Sequence, residues 1–278
     1  MACSSPLFKG NGNQVHFSSK SKATTTNGSS YVSITGANSG VGYATYQVLA
    51  TTPDYDFHVI MPGRSLDKVE ASRTELATSC SVTSSDISSR LSTLKVDVTD
   101  SSSIRAAADA VFRKWGYLDV LINNAVIGAT SLDDDTSTRF TMRMQTTVTG
   151  PAVMAYVFRL LLLKAPVKPY SIFVPSGTGS FARTADTTRQ RGPEPPGDTS
   201  AYHASKAAFN MIALKGYLRY REEIKVFAMT TGFVVSNLCG KSEELRTGWR
   251  MTGDHRCARD HVEYIEEREG RGCRGIGE

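Results

Sequence analysis

Short apolar runs and longer helical patterns alternate along most of the chain. Apolar runs typical of buried strands occur at 31–35, 57–61, 91–96, 118–122, 170–174 and 225–229. Helical patterns fill the intervals between them, at about 40–51, 65–78, 101–115, 138–163 and 202–221. Alternating units of this length favour a parallel sheet with helices on both faces and right-handed crossovers. The pattern therefore predicts a doubly wound α/β domain with about six to seven strands.

Three stretches depart from this alternation. Residues 1–30 are rich in Ser, Thr, Asn and Gly and lack the apolar core of a signal peptide, so we expect a disordered polar leader. Residues 182–200 are polar and rich in Pro and Gly, which predicts a long loop between the fifth strand and its helix. Residues 246–278 form an Arg/Glu/Gly-rich tail without an apolar strand. We therefore predict a single domain at 31–245, followed by an atypical tail.

Composition and charge narrow the range of functions. The chain has 278 residues, of which 40% are hydrophobic, enough for one large domain with a substantial core. The net charge is +5, but much of the excess lies at the two ends, so we do not expect a nucleic-acid surface. No segment approaches the roughly 20 apolar residues of a membrane span, so we expect no membrane partner. Five scattered cysteines suggest no disulfide framework, and we expect a reducing compartment, the cytoplasm.

A glycine-rich turn follows the first predicted strand. Residues 35–42 read Thr-Gly-Ala-Asn-Ser-Gly-Val-Gly and lead directly into the first helical pattern. Such a unit directs unpaired backbone N–H groups and the positive end of a helix dipole towards one point, where a pyrophosphate can bind. Glycines permit the tight turn, the approach of the backbone to the phosphates and close packing of the helix. Alone, the pattern also fits an ordinary loop; its candidate binding residues are Gly36, Asn38, Ser39, Gly40, Val41 and Gly42.

A tyrosine and a lysine lie one turn apart at the start of the last predicted helix. This helix opens with Tyr202-His203-Ala204-Ser205-Lys206, which places Tyr202 and Lys206 on the same face. The pKa of a free phenol, near ~10, is too high for efficient proton exchange at neutral pH, and a nearby ammonium lowers it. The pair is therefore a candidate acid/base unit, although a surface contact would show the same spacing.

Motifs after successive strands resemble one family in their order. They are Thr-Gly-Ala-Asn-Ser-Gly-Val-Gly at 35–42, Asp97-Val98, Asn123-Asn124-Ala125, Ser176, and Tyr202-x-x-x-Lys206. With these motifs, residues 31–240 resemble the short-chain dehydrogenase/reductase family, and the sequence is similar to fungal members that act in secondary metabolism. The resemblance implies a Rossmann-type fold, a nicotinamide cofactor and a small-molecule carbonyl or alcohol substrate.

The resemblance also assigns roles to the matched residues. Tyr202 would protonate a substrate carbonyl oxygen as hydride arrives, or deprotonate an alcohol in reverse, and Ser176 would hydrogen-bond the same oxygen. Lys206 would hold the nicotinamide ribose and lower the pKa of Tyr202. Asp97 would hold the adenine edge, and Asn123 would support the central region of the cofactor. Further cofactor contacts, including a loop that closes over the nicotinamide after the sixth strand, would come from Val98, Ala125, Gly232, Val235 and Ser236.

The residues after the second strand indicate which cofactor is used. NAD-dependent members of the family usually place an acid at the position of Gly63, where it binds both ribose hydroxyls. Here the acid is absent and Arg64 follows. A guanidinium matches a 2′-phosphate through paired, charge-assisted hydrogen bonds. The sequence therefore predicts NADP(H).

Several positions differ from the family pattern. Thr147 stands where the family usually has an asparagine that holds a water of the proton relay, and a hydroxyl cannot supply an amide's donor and carbonyl acceptor together. Val126 replaces a glycine and adds bulk near the cofactor. The tail lacks the usual last strand, so homo-oligomer formation through the final helices is in doubt. We expect no metal site, because no standard zinc spacing relates His255, Cys257, His261 and Cys273.

Two functional hypotheses remain open. The first is an NADPH-dependent carbonyl reductase with a weakened proton relay, acting on a bulky ketone of secondary-metabolite type. The long loop at 182–200 suggests this substrate size. The alternative is a scaffold that binds NADP(H) but catalyses a redox-neutral cyclisation, isomerisation or dehydration, or serves as a binding protein. Retention of Ser176, Tyr202 and Lys206 favours the first, because the complete set serves no obvious structural purpose.

Overall fold

Six parallel strands form one sheet in the described part of the chain. This computed structural model describes residues 29–36, 38–52, 56–79, 84–127, 134–186, 188 and 199–231. The strands are β1 (Ser30–Ile34), β2 (Phe57–Gly63), β3 (Leu91–Lys95), β4 (Val120–Asn123), β5 (Tyr170–Phe173) and β6 (Lys225–Ala228). Their order is β3-β2-β1-β4-β5-β6, and every neighbouring pair is parallel. The doubly wound α/β prediction is confirmed.

Eight α-helices connect or flank these strands in the described residues. They are α1 (Gly40–Thr51), α2 (Leu66–Ser79), α3 (Ser84–Ser89), α4 (Ser101–Trp115), α5 (Thr136–Met144), α6 (Gly150–Leu162), α7 (Phe181–Ala185) and α8 (Ser200–Tyr220). A π-helical turn, Gln145–Thr149, joins α5 to α6, and a 3₁₀ turn, Gly177–Gly179, follows β5. The single helix predicted at 138–163 is therefore two helices with a π-helical turn between them.

Two short helices were not predicted. Helix α3 consists mainly of serine and lacks the apolar periodicity by which a helix is recognised in a sequence. Helix α7 occupies the start of the segment predicted as a loop at 182–200, and the Ser180 hydroxyl caps it by accepting a hydrogen bond from the Arg183 N–H. The prediction of a loop was wrong at its first residues, and residues 189–198 lie outside the described part.

Each face of the sheet carries its own core. On one face, Val32 and Ile34 of β1 pack with Tyr46 of α1 and Leu76 of α2. The other core includes Leu121 of β4 and Phe173 of β5, together with side chains of the helices α4, α6 and α8. Because both faces are covered, the central strands are largely apolar, as parallel strands between helices are expected to be.

The sheet has one point where the strand order reverses. From β1 the chain proceeds outward to β2 and β3, and β4 then returns to the other side of β1. The loops after β1 and β4 therefore leave in opposite directions and open a crevice at the carboxyl ends of the strands, where ligands bind in open α/β sheets. None of the helices in the described residues is both long and apolar enough to span a bilayer.

Candidate active site and cofactor cleft

A cleft opens at the carboxyl ends of the first four strands. It is lined by residues that follow each of these strands and by one residue of the π-helical turn. Of the predicted cofactor residues, it brings together Gly36, Asn38, Arg64, Asp97, Val98 and Ala125. Val126, whose added bulk was noted from the sequence, also lines it. Residues that are far apart in the chain therefore share one cleft at the switch point of the sheet.

The glycine loop forms a cradle that side chains would fill. Gly36 and Gly40 have φ angles of 72° and 57°, in the left-handed region that favours glycine. A Cβ on Gly42 would lie 2.2 Å from the Gly36 carbonyl oxygen, a distance that no side chain tolerates. Ser39 precedes α1 in an extended conformation, and its side chain makes no capping hydrogen bond. The first-turn N–H groups of α1 are thus uncapped by Ser39, and the cradle fits a pyrophosphate.

Two residues that the sequence analysis did not assign hold this cradle. The Thr35 hydroxyl accepts hydrogen bonds from the backbone N–H groups of Asn124 and Ala125, both at 2.9 Å. The Asn124 amide donates to the carbonyl oxygens of Thr35 at 3.0 Å and Gly36 at 3.4 Å. These bonds tie the loop after β4 to the glycine loop after β1. The asparagine pair at 123–124 was a visible signal, but it did not show which of the two amides faces the loop.

The side chain of Asn123, which was predicted to support the cofactor, lies inside the protein. Its side chain is fully buried, and neither of its polar side-chain atoms has a hydrogen-bond partner among the described residues. Its backbone carbonyl accepts from the Val174 N–H, within the sheet. Asn124 rather than Asn123 makes the side-chain hydrogen bonds to the glycine loop, and support of the cofactor by Asn123 stays a prediction.

A basic depression adjoins the cleft after β2. It is lined by Asn38, Gly63, Arg64, Ser65, Lys68 and Val69. Arg64 and Lys68 are exposed there, and Lys68 lies at the start of α2. The depression therefore adds a second cation, which the sequence analysis did not assign, to the predicted Arg64.

Asp97 and Val98 follow β3 and line the cleft. The Asp97 carboxylate accepts hydrogen bonds from the Thr99 N–H at 2.9 Å and the Thr99 hydroxyl at 2.7 Å. A Cβ on Gly150 would lie 2.5 Å from the Val98 carbonyl oxygen. Only glycine therefore allows α6 to begin so close to this loop. Both residues line the cleft, and one oxygen of Asp97 is used to hold its own turn.

Ser176 follows β5 with its hydroxyl oriented by a neighbour. Its oxygen accepts hydrogen bonds from the Thr178 N–H at 3.3 Å and the Thr178 hydroxyl at 2.9 Å. Since both contacts use the oxygen as acceptor, the hydrogen of Ser176 remains able to donate. The Arg183 guanidinium lies over the adjacent Gly177, where a Cβ would be 2.2 Å from Nη1. Thr178 and Arg183 are therefore neighbours of the predicted serine that the motifs did not include.

Lys206 is buried beside the Tyr202 ring. It is 4% exposed, its Nζ donates to the Val174 carbonyl at 3.2 Å, and it lies 5.9 Å from the Tyr202 ring centroid. Burial lowers the pKa of Lys206 from 10.5 to about 8. Val174 is two residues before Ser176, so this hydrogen bond joins α8 to the end of β5. The structure thus brings Tyr202 and Lys206 together and anchors them next to the loop that carries Ser176.

An arginine that the sequence analysis missed lies against Tyr202. Arg143 of α5 is 9% exposed, and its guanidinium carbon is 5.4 Å from the Tyr202 ring centroid. Its Nη1 donates to the carbonyl oxygen of Ile127 at 3.2 Å, and Ile127 lines the cleft. The available signal was an arginine on the buried face of an otherwise amphipathic helix.

Thr147 lies in the π-helical turn with its hydroxyl buried. It is 1% exposed, and its Oγ1 has no hydrogen-bond partner among the described residues. The weakened proton relay expected from this threonine stays a prediction. The predicted contacts Gly232, Val235 and Ser236 lie outside the described residues, as do residues 1–28 and the tail at 246–278.

Known proteins are similar to this chain in sequence. A family model described as short chain dehydrogenase matches residues 30–246. The chain is 31% identical over 217 residues to the short-chain dehydrogenase/reductase tropE of Talaromyces stipitatus, covering 75% of this chain and 79% of that protein. It is 34% identical over 213 residues to the short-chain dehydrogenase anuI of Penicillium roqueforti, covering 75% and 80%.

A solved structure supports the same relationship. The NADPH-bound carbonyl reductase from chicken fatty liver superposes with a TM-score of 0.63 at 27% identity, covering 77% of this chain and 80% of that chain. The glycine cradle and the buried lysine beside the tyrosine are thus consistent with the matched family. The chain belongs to the short-chain dehydrogenase/reductase family and is an oxidoreductase that binds a nicotinamide cofactor.

Proposed function

We propose that this oxidoreductase uses NADP(H) to reduce a carbonyl group to an alcohol, or to catalyse the reverse, with Ser176, Tyr202 and Lys206 at the reacting centre. The observation that carries this proposal is Lys206, buried at 4% exposure beside the Tyr202 ring. An ammonium is costly to bury, and a hydrophobic residue would fill the same space without that cost. A function that needs a positive charge beside the phenol explains why the lysine is there.

The residues of the chain would share the chemistry as follows. When bound, the cofactor supplies the hydride, or accepts it in the reverse direction. Tyr202 gives its proton to the substrate oxygen, and Ser176 donates its free hydrogen to the same oxygen. The charge of Lys206 stabilises the phenolate that Tyr202 becomes. Since the pKa of Lys206 is about 8, most of this charge is present at neutral pH.

Replacing Tyr202 with phenylalanine tests this mechanism. Turnover with NADPH should fall by a factor of about 10² or more, the usual contribution of a positioned general acid. Binding of NADPH, followed by its fluorescence, should remain. Tyr220→Phe, at the far end of the same helix, is the matched control and should keep both. Retained turnover in Tyr202→Phe would overturn the mechanism.

The basic depression after β2 supports NADP(H) over NAD(H). Arg64 and Lys68 place two cations in a depression whose described lining contains no acidic residue. A phosphate gains from paired, charge-assisted hydrogen bonds, each worth about 1.5–3 kcal/mol. Arg64→Asp should therefore weaken NADPH binding roughly tenfold to a hundredfold and leave NADH binding equal or tighter. Arg113→Asp, in the last turn of α4, is the control; an unchanged NADPH/NADH preference in Arg64→Asp would contradict the assignment.

The buried Thr147 keeps a second candidate function open. Its hydroxyl has no hydrogen-bond partner among the described residues, which agrees with a weakened proton relay. A redox-neutral isomerisation, cyclisation or dehydration on the same scaffold would then need no net consumption of the cofactor. A steady-state assay separates the two, because substrate-dependent consumption of NADPH excludes the redox-neutral candidate.

The substrate class is part of the same proposal. We favour a bulky, polyketide-like ketone because the segment between β5 and α8 is long. A screen should compare aromatic and polycyclic ketones with small aliphatic carbonyls under identical NADPH concentrations. Turnover confined to the small carbonyls would rule out a bulky substrate.

A further inference from the structure

We propose that Arg143 is a positioning residue of this site, whose guanidinium holds the Tyr202 ring and stabilises the phenolate together with Lys206. The inference rests on the proposed role of Tyr202 in proton transfer. Its basis is the placement of the guanidinium carbon 5.4 Å from the Tyr202 ring centroid, within the distance at which a cation and an aromatic ring attract one another.

The burial of Arg143 indicates that its charge is used. Arg143 is 9% exposed and lies on α5, which packs against α8. Removing a guanidinium from water is costly even when its hydrogen bonds are made, and a methionine would fill the space without this cost. Packing alone therefore does not explain the arginine, and its charge and hydrogen bonds must serve the site.

The second contact of Arg143 gives the ring a defined position. Nη1 donates to the Ile127 carbonyl at 3.2 Å, and Ile127 belongs to the wall of the cofactor cleft. The guanidinium therefore bridges the loop after β4 and the first turn of α8. If a bound cofactor displaced that loop, Arg143 would transmit the displacement to the Tyr202 ring.

The groups that face Tyr202 show why a second cation matters. From α8 come Lys206, 5.9 Å from the ring centroid, and the His203 ring, with a centroid separation of 6.2 Å. From α5 comes Arg143, and Arg183 lies over Gly177 of the adjoining 3₁₀ turn. The 3₁₀ turn and the π-helical turn, which also contact α8, contain no titratable side chain. Strand β6 packs against α8 as well, and its Lys225 donates to the Tyr170 hydroxyl at 3.0 Å.

The two cations beside the ring respond differently to pH. The pKa of Lys206 is lowered by burial to about 8, so its charge is lost progressively in mildly alkaline solution. A guanidinium stays protonated throughout this range. Arg143 thus maintains a positive charge beside the Tyr202 phenol where Lys206 no longer does. It also supports proton transfer at a site where Thr147 replaces the asparagine expected for the relay.

The experiment measures the pKa of Tyr202 directly. The protein is labelled with ¹³Cζ-tyrosine and titrated by NMR in its complex with NADP⁺; Tyr202→Phe identifies the Tyr202 signal among the 11 tyrosines. In Arg143→Gln, which keeps a donor for the Ile127 carbonyl but no charge, the pKa of Tyr202 should rise by about one unit or more. The same variant should shift the rate–pH profile for alcohol oxidation to higher pH by the same amount.

Two further variants complete the test. Arg143→Lys retains the charge and should keep the pKa of Tyr202 closer to that of the wild type than Arg143→Gln does. Arg159→Met removes a guanidinium that lies 5.3 Å from the Tyr220 ring, an equivalent pair away from the site, and should leave the Tyr202 titration unchanged. Rescue by lysine together with an unchanged control supports a role for charge.

The outcomes separate this inference from the proposed function. An unchanged Tyr202 pKa in Arg143→Gln, with Tyr202→Phe inactive, overturns the role of Arg143 and leaves the mechanism standing. Loss of folding or of NADP⁺ binding in both Arg143→Gln and Arg143→Lys also overturns it, since the role is then structural. Full activity of Tyr202→Phe overturns the proposed mechanism, and the role of Arg143 with it.

Discussion

Replacing Lys206 with methionine should stabilise the folded protein at neutral pH while it removes activity. The side chain is 4% exposed, and burial lowers its pKa from 10.5 to about 8. Below pH 8 the lysine is charged in both the folded and the unfolded state, so the folded state bears the whole cost of the buried charge. Above pH 10.5 it is neutral in both states and the cost vanishes. The contribution of Lys206 to stability therefore becomes less unfavourable as the pH rises from about 8 to 10.5.

The size of the effect follows from the two pKa values. At about 1.36 kcal/mol per pKa unit, the buried charge costs about 3 kcal/mol at pH 7 and about 1 kcal/mol at pH 10. Methionine leaves the Val174 carbonyl without the donor that lies 3.2 Å away, at a cost of about 1–2 kcal/mol. Lys206→Met should thus be more stable than the wild type by about 2 kcal/mol at pH 7 and slightly less stable at pH 10.

Urea unfolding followed by circular dichroism at both pH values measures this difference. Between pH 7 and pH 10, the free energy of unfolding of Lys206→Met relative to the wild type should change by about 2.5 kcal/mol, whatever the lost hydrogen bond costs. Lys215→Met, at an exposed position of the same helix, is the control and should show no such change. A difference that is the same at both pH values would refute the argument that Lys206 is buried as a cation.

Two other predictions concern the cradle and the outer helices. Gly42→Ala puts a Cβ 2.2 Å from the Gly36 carbonyl oxygen and should weaken NADPH binding about tenfold or more. In the control Gly216→Ala, the nearest atom to the added Cβ is 3.8 Å away, and this variant should bind NADPH normally. Equal affinities of the two variants in fluorescence titrations would argue against the cradle. Leu160 of α6 and Leu218 of α8 are 60% and 53% exposed, so we expect a homo-oligomer that covers them. Leu160→Glu should then reduce the molar mass measured by light scattering. A monomeric wild-type protein would contradict this prediction.

Most of the fold could be predicted because its signals are local. Each strand overlaps a predicted run, since strands that are covered on both faces are largely apolar. The short helices α3 and α7 escaped prediction because five or six residues are too few to show an apolar periodicity. The π-helical turn at 145–149 escaped because it shifts the apolar pattern by one residue at a single point, and both halves still read as helix.

Part of the site could likewise be predicted from the sequence. The glycines at 36, 40 and 42 are required by backbone geometry, and a tyrosine and lysine four residues apart must share a helix face. For that reason the sequence by itself determined the strand–loop–helix cradle, the Tyr202–Lys206 pair and the family to which the chain belongs. The cradle and the pair each depend on residues that are close in sequence, and the family follows from the order of the motifs along the chain.

Only the tertiary structure decided which polar groups reach that site. It buried Asn123 in the sheet, turned Asn124 to the glycine loop and placed Arg143 of α5 against Tyr202 of α8. The burial of Lys206, which lowers its pKa, likewise comes from the packing of α8 on the sheet. Burial and electrostatic environment arise from residues far apart in the chain, and no local pattern encodes which of them will meet.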